Sequence, residues 1–367
     1  MQDSVPIIRL RAQPEYRSMR TGAIPCILAF AWLGCATDVL RAQLPFMIHQ
    51  GDAVPRDVRE IYDKGVAYLV KTQRENGSWQ GGQAGPGVTG MALMTLLAGG
   101  EDPNFGKYSN PVRKAVKNLV EAQDTSTGFL GSSMYHHGFG MLALAEAYGA
   151  VDDRTFWAST PNKKKSIGTA LEMAVRCAIT SQKKNPLGAW RYSPSASDAD
   201  TSVSGAILVG LLAARNAGIE VPDSSIDRAI SYYEGMTSDS GNVGYSGGIG
   251  SGMGQSIART SIASLVYAIS RRQDLPKYKA TVTNLTGRLE SDGNDHYKDY
   301  ARYYQSQALF QGDMQAWKKW NKILVEKLKA SQLEDGSFQG NFGVPAATSM
   351  NLLSLALNYR FLPIYER

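Results

Sequence analysis

Asp198 and Asp200, in the run DADTS, are the carboxylates of this chain best suited to acid chemistry. Two carboxylates held together in an apolar cavity repel, which raises the pKa of one and makes it a better proton donor. Aspartate, serine and threonine also cap helix N-termini, and the same run reads more readily as the start of a helix near Val203. The run YHHG, Tyr135 to Gly138, holds His136 and His137, two of the four histidines. Adjacent helical residues point about 100° apart, which does not suit one shared metal ion. One of the two histidines can orient or protonate a bound molecule, or position Asp200. The alternative is one buried, hydrogen-bonded histidine and one exposed.

Tyr297, Tyr300 and Tyr304 follow an i, i+3, i+7 spacing, which makes an aromatic stripe on one helix face. Such a wall suits an apolar chain or a carbocation; ordinary helix packing accounts for it as well. Arg259 interrupts an apolar segment, and its burial demands a partner, for which Asp198 or Asp200 is available. The candidate catalytic residues are therefore Asp200, Asp198 and His136. The candidate ligand-binding residues are Tyr135, His137, Arg259, Tyr297, Tyr300 and Tyr304. The glycine-rich run GGIGSGMGQS, Gly247 to Ser256, has no strand before it, so it fails the context of a nucleotide loop. It reads instead as a flexible loop over a cavity mouth.

These residues need elements to hold them, and the elements come as repeats. QRENGSW (Gln73 to Trp79) and QLEDGSF (Gln332 to Phe338) share glutamine, glycine and an aromatic at one spacing. Each leads into an apolar, small-residue segment, and Thr89, Met91, Leu93 and Leu96 align with Thr348, Met350, Leu352 and Leu355. Weaker copies start at Gln123 and Gln182, and degenerate ones are expected near positions 232 and 282, which makes six units. Before each glutamine runs an amphipathic segment; Ile61, Gly65, Leu69 and Thr72 form one stripe, and Trp317, Trp320, Leu324 and Leu328 another. The segments after the glutamines are apolar all round, as helices buried on both sides are. The pattern predicts an all-α chain: a single α/α toroid of six helix pairs, amphipathic helices outside and apolar helices inside. In this reading the glutamine amide serves carbonyls at the end of its own helix, the glycine stops that helix, and the aromatic fills the gap between units. Trp79 is then buried.

The first residues differ in character. From Met19 to Gln43 a basic start, an apolar stretch and a small-residue region near Ala42 have the layout of a secretory leader. The domain reading is a leader over 1–43, its core about 19–43, and a toroid over 44–367, working outside the cytoplasm in a secreted or periplasmic setting with no stable membrane span once the leader is removed. Without residues 1–43 the formal charge falls from +6 to +4 and Cys177 is the one cysteine left, too few for a disulfide or a cysteine-rich zinc site. No basic block with interleaved aromatics points to nucleic acid.

A glutamine, glycine and tryptophan motif in a six-unit toroid resembles the repeats of squalene/hopene cyclases, whose superfamily also holds the protein prenyltransferase β subunits. The likeness covers roughly residues 50–367 and is carried by Gln73–Trp79 and Gln332–Phe338, with Gln182–Trp190 at a longer spacing. It implies an apolar, isoprenoid-like ligand in a central cavity. It also implies that Asp200 is an acid that protonates an alkene, with Thr201 standing where those cyclases have a further aspartate. The prenyltransferases bind zinc through Asp, Cys and His, and Cys177 falls in a predicted outer helix away from the mouth. The expectation is thus no metal and no cofactor. Two further readings stand beside it: a non-catalytic module that binds a small molecule, protein or peptide at the mouth, and a glycan-processing toroid, which needs paired carboxylates across the cavity.

Overall fold

A computed structural model describes residues 54–158, 165–248, 255–291 and 295–365. The leader expected at 1–43 lies outside them, as does most of the glycine-rich run. Among the described residues there are twelve α-helices and no strand: α1 (Arg56–Thr72), α2 (Pro86–Ala98), α3 (Ser109–Glu121), α4 (Met134–Ala147), α5 (Ile167–Lys184), α6 (Thr201–Asn216), α7 (Asp223–Met236), α8 (Ile257–Ile269), α9 (Pro276–Thr286), α10 (Lys298–Gly312), α11 (Met314–Ser331) and α12 (Val344–Ala356). The even-numbered helices pack in sequence order, and α12 packs back on α2, so they close a ring. The odd-numbered helices surround it, with α11 against α1. The described residues form a single α/α toroid.

The layers follow from side-chain distribution. Every residue of α2 from Pro86 to Ala98 is buried, because it touches neighbours on all sides. In α1 only one face is buried, including Val58, Ile61, Gly65 and Leu69, while Thr72 of the expected stripe faces solvent. In α11 the expected stripe of Trp317, Trp320, Leu324 and Leu328 is buried as a set. Cys177 lies buried on the outer helix α5.

The recurring turn has a different physical basis from the one expected. Helix α1 stops because Gln73 turns to extended backbone, at ψ 131°. The Gln73 amide donates to Gly77 O in its own turn, at 3.2 Å, and to Pro111 O in the next outer helix, at 2.9 Å. Gln123 reaches Gly128 O and Ala170 O in the same way, and Gln182 reaches Gly188 O and Ser225 O. Gln332 donates to Gly336 O at 2.9 Å and to Ile61 O at 2.8 Å, which ties the last unit to the first. These amides are therefore fasteners between outer helices. The glycine lies beyond the helix end: Gly77 has φ +84°, and a Cβ there would come within 2.0 Å of Lys114 O. Trp79 is 1 % exposed, and its Nε1 donates to Leu69 O at 2.8 Å. Trp190 repeats the bond to Ala178 O. In the degenerate fourth unit Thr237 replaces the glutamine, and Gly241 keeps the close approach, to Ala280 O.

Candidate functional site

The N-terminal turns of all six inner helices meet at one end of the ring. Val88 and Met91 of α2, Tyr135, His136 and Phe139 of α4, Ser202 of α6, Ala258 and Arg259 of α8, Tyr300 of α10, and Ala346 and Met350 of α12 line a cavity of about 480 Å³. Among the described residues, Tyr192, Tyr245, Tyr297 and Phe342 add aromatic faces to its wall, and Gln83, Ser133 and Ser256 add polar ones. The volume falls in the range of small-molecule sites, and the wall is mainly aromatic and aliphatic.

The helix starts are locally encoded. Ser133 caps α4, Asp200 caps α6 and Ser256 caps α8, each accepting from backbone N–H groups of the first turn, whereas α2 and α12 begin with a proline in the first turn. The caps put His136 and Arg259 at their helices' third positions, on the cavity side.

The two histidines separate. His136 lines the cavity; Gly87 N–H donates to its Nδ1 at 3.2 Å, which places the proton of the neutral ring on Nε2, and burial lowers its pKa. A Cβ on Gly87 would lie 2.9 Å from that Nδ1, so glycine is what lets the imidazole approach. His137, expected among the ligand-binding residues, is fully buried behind the wall. Its Nδ1 accepts from Leu130 N–H and its Nε2 donates to Ala174 O, at 3.1 and 3.0 Å. Burial pushes it down to about 4, so it is a neutral latch between α4, its preceding turn and α5.

The aspartate pair also divides. Asp198 is 64 % exposed at its side chain and meets Arg191 at 2.8 Å. Asp200 is wholly buried; its Oδ1 accepts from Ser202 and Val203 N–H at 2.9 and 2.8 Å, and its Oδ2 lies 3.3 Å from Arg191 Nε. Neither lines the cavity, although Ser202, two residues on, does. The two carboxylates are thus not a repelling pair in an apolar cavity but are bridged by Arg191, a residue the sequence reading passed over. Burial still pushes Asp200 up to about 6, against the lowering effects of its backbone bonds and of Arg191. A buried carboxyl raised in this way favours the folded state in acid and loses that contribution as pH rises through its folded pKa. The stability of the wild type relative to Asp200→Asn, which keeps the cap, should fall by up to about 3 kcal/mol between roughly pH 4 and pH 6. Urea denaturation across a pH series measures this, and a flat difference over that window would contradict it.

Arg191 also lies against the Tyr192 and Tyr245 rings, at 5.3 and 5.5 Å, and those phenols join at 2.7 Å across two turns. Tyr135 stands edge-on to Tyr300, with centroids 6.4 Å apart, and burial together with the Asp200 charge pushes its phenol pKa up. Tyr297 is 41 % exposed at the rim, on a short 3₁₀ turn before α10, and Tyr300 lies in the wall. Tyr304, expected to bind ligand, is buried beneath Tyr300 at 4.9 Å and does not line the cavity. Arg259 does not pair with Asp198 or Asp200; its Nε donates to Val243 O at 2.9 Å. Tyr192 and Tyr245, both missed, sit two residues after Trp190 and Val243 of the recurring turn, so aligning the repeats through that position would have found them. Among the described residues no group of three or more His, Cys, Asp or Glu is arranged to hold a metal ion, and no helix is long and apolar enough to cross a membrane.

No protein-family model matches this chain, and no curated protein matches it in sequence. Solved structures do match its fold. An inactive variant of the α-1,6-mannanase GH76A of Salegentibacter, with two consecutive aspartates replaced and α-1,6-mannotriose bound, superimposes with TM-score 0.60 at 10 % identity over 83 % of this chain and 99 % of that one. The type II terpene cyclase MstE from Scytonema, in complex with geranylgeranyl dihydroxybenzoate, superimposes with TM-score 0.56 at 14 % identity over 83 % of this chain and 98 % of that one. Both likenesses show the toroid fold. The consecutive aspartates of the present chain, Asp152 and Asp153, follow the C-terminus of α4 and so lie away from the cavity end.

Proposed function

We propose that this protein binds an apolar, isoprenoid-like ligand in the cavity at the centre of the ring. The observation that carries the reading is the wall itself: all six inner helices contribute to it, and Phe139, Tyr135, Tyr192, Tyr245, Tyr300 and Phe342 supply aromatic faces. Such surfaces gain most from burying hydrocarbon. The turn motif, in its likeness to the squalene/hopene cyclase and prenyltransferase repeats, supports the same ligand class. The domain reading proposed with it is a leader over 1–43, removed on export, and a ring over 44–367.

A second reading, cyclisation of the ligand by Asp200 acid catalysis, is favoured by one observation: burial pushes that carboxyl up to about 6. Its place behind the wall and beside Arg191 favours binding over proton donation. The glycan-processing reading draws on the fold shared with the mannanase, but no Asp or Glu is among the described lining residues, and glycoside hydrolysis typically uses two carboxylates flanking the bond. A fluorescent farnesol analogue titrated into the protein tests the main reading. Saturable one-to-one binding is the expected result, and no binding of any prenyl probe would contradict it. Turnover of a polyprenyl substrate, abolished in Asp200→Asn, would move the conclusion to the second reading.

A further inference from the structure

His136 is seated on the cavity wall in a cradle of glycines. A Cβ built on Gly85, Gly87 or Gly131 would stand 3.2, 2.9 and 2.9 Å from its Cε1, Nδ1 and Cβ. Two of the three, Gly85 and Gly131, have φ of +124° and +86°, so neither the space nor the backbone there suits another residue. The Ser133 cap sets the start of α4, and the bond from Gly87 N–H to Nδ1 sets the rotation of the ring. That bond takes up the Nδ1 lone pair, and it is the ring's one hydrogen bond among the described residues. Burial is what shifts the imidazole pKa, downward, and no carboxylate contributes to hold the ring charged. The neutral ring therefore offers the cavity a donor, Nε2–H, and no acceptor. The wall around it is mainly aromatic and aliphatic.

A plain hydrocarbon seated here would strip water from that N–H and return nothing to it. An ammonium head has no lone pair to accept the bond. We propose that the occupant carries a neutral carbonyl oxygen, as in a ketone, an aldehyde or a quinone, which accepts a hydrogen bond from His136 Nε2–H while its apolar chain lies against the aromatic wall. A hydroxyl group would accept as well, but it brings a donor of its own for the wall to satisfy. The proposal rests on the reading of the cavity as an apolar-ligand site and adds the polar end of that ligand. His136 is then the residue that selects an oxygenated chain over a plain one, because the unsuited ligand leaves a desolvated donor unpaired.

Two substitutions separate the two ring nitrogens. In His136→Asn the amide oxygen can accept from Gly87 N–H in place of Nδ1 but nothing reaches the place of Nε2; in His136→Gln an amide N–H can reach it. Geranylacetone, and the hydrocarbon with a methylene in place of its carbonyl, are titrated against a bound fluorescent farnesol analogue. His136→Asn should weaken the ketone about fivefold or more and leave the hydrocarbon within about twofold, and His136→Gln should restore part of the loss. Nitrogen-15 resonance of His136 Nε2 reads the same contact in the wild type, should a variant not fold: the signal should move with the ketone and hold with the hydrocarbon. Equal weakening of both probes in His136→Asn would make His136 a packing residue and overturn the proposal. Ketone affinity unchanged in that variant, or an Nε2 signal that responds alike to both probes, would overturn it too. Each of these results leaves the apolar-ligand reading standing so long as the farnesol analogue binds. Failure of the analogue and both probes to bind would overturn the two together.

Discussion

Trp79→Ala is expected to destabilise the ring by about 3–5 kcal/mol. The indole is 1 % exposed and belongs to the continuous core formed by both helix layers. Its removal leaves a cavity that the close-packed inner helices cannot collapse to fill, because α2 is already buried on every side. It also leaves Leu69 O without the indole donor at the end of α1. Trp79→Phe should recover much of the packing loss and none of the hydrogen bond, so it should fall between the two. Chemical denaturation of the three proteins measures the order, and a Trp79→Ala midpoint equal to wild type would sink the account of the turn.

Gly336→Ala is expected to cost about 3 kcal/mol or more, although it adds a single methyl group. Gly336 has φ +88°, and a Cβ built there would stand 2.2 Å from Lys64 O in α1. The left-handed backbone alone costs an L-residue roughly 1–2 kcal/mol, and the contact with backbone cannot be relieved by turning a side chain. The two helices must separate, and the separation falls on the junction where Gln332 bonds to Ile61 O. Hydrogen exchange in Gly336→Ala should therefore accelerate first in α1 and α11, the pair that closes the ring. Exchange that accelerates evenly around all six units would contradict a localised seam.

Much of the architecture is legible in the chain because it is periodic. The glutamine, glycine and aromatic turn recurs, and the contrast between amphipathic and wholly apolar segments marks which helices face out. Even the degenerate units follow, since α7 and α9 end at Met236 and Thr286, about a turn beyond the expected positions. What the glutamine does was not legible: its partners Pro111, Ala170, Ser225 and Ile61 lie in the next outer helix, and only closure of the ring brings Gln332 to Ile61.

The convergence of the helix ends was legible in the sequence, and where individual side chains sit was not. Tyr135, His136, Arg259, Tyr297 and Tyr300 converge on one cavity because equivalent ends of repeated helices converge. His137 differs from His136 by about 100° around α4, and that rotation carries it from the cavity to the α5 backbone. Asp198 and Asp200 looked like a pair from their spacing, but the backbone between them turns one out to solvent and the other under the first turn of α6. Arg191, which joins them, follows Trp190 directly and carries no motif of its own. Tyr304 shares a helical stripe with Tyr300 but lies a turn deeper along α10, buried beneath the Tyr300 ring.

The central claim is that the cavity between the six inner helices holds the ligand, and a side chain grown into that space tests it most directly. Ala258 lines the cavity and is 8 % exposed, so Ala258→Trp should occupy much of the volume while leaving the ring closed. Titration of a fluorescent farnesol analogue should show binding in the wild type and at least about a hundredfold weaker binding in Ala258→Trp, with the helical circular-dichroism spectrum unchanged. Equal affinity in the two proteins, with the fold intact, would contradict the claim that the centre of the ring is the binding site.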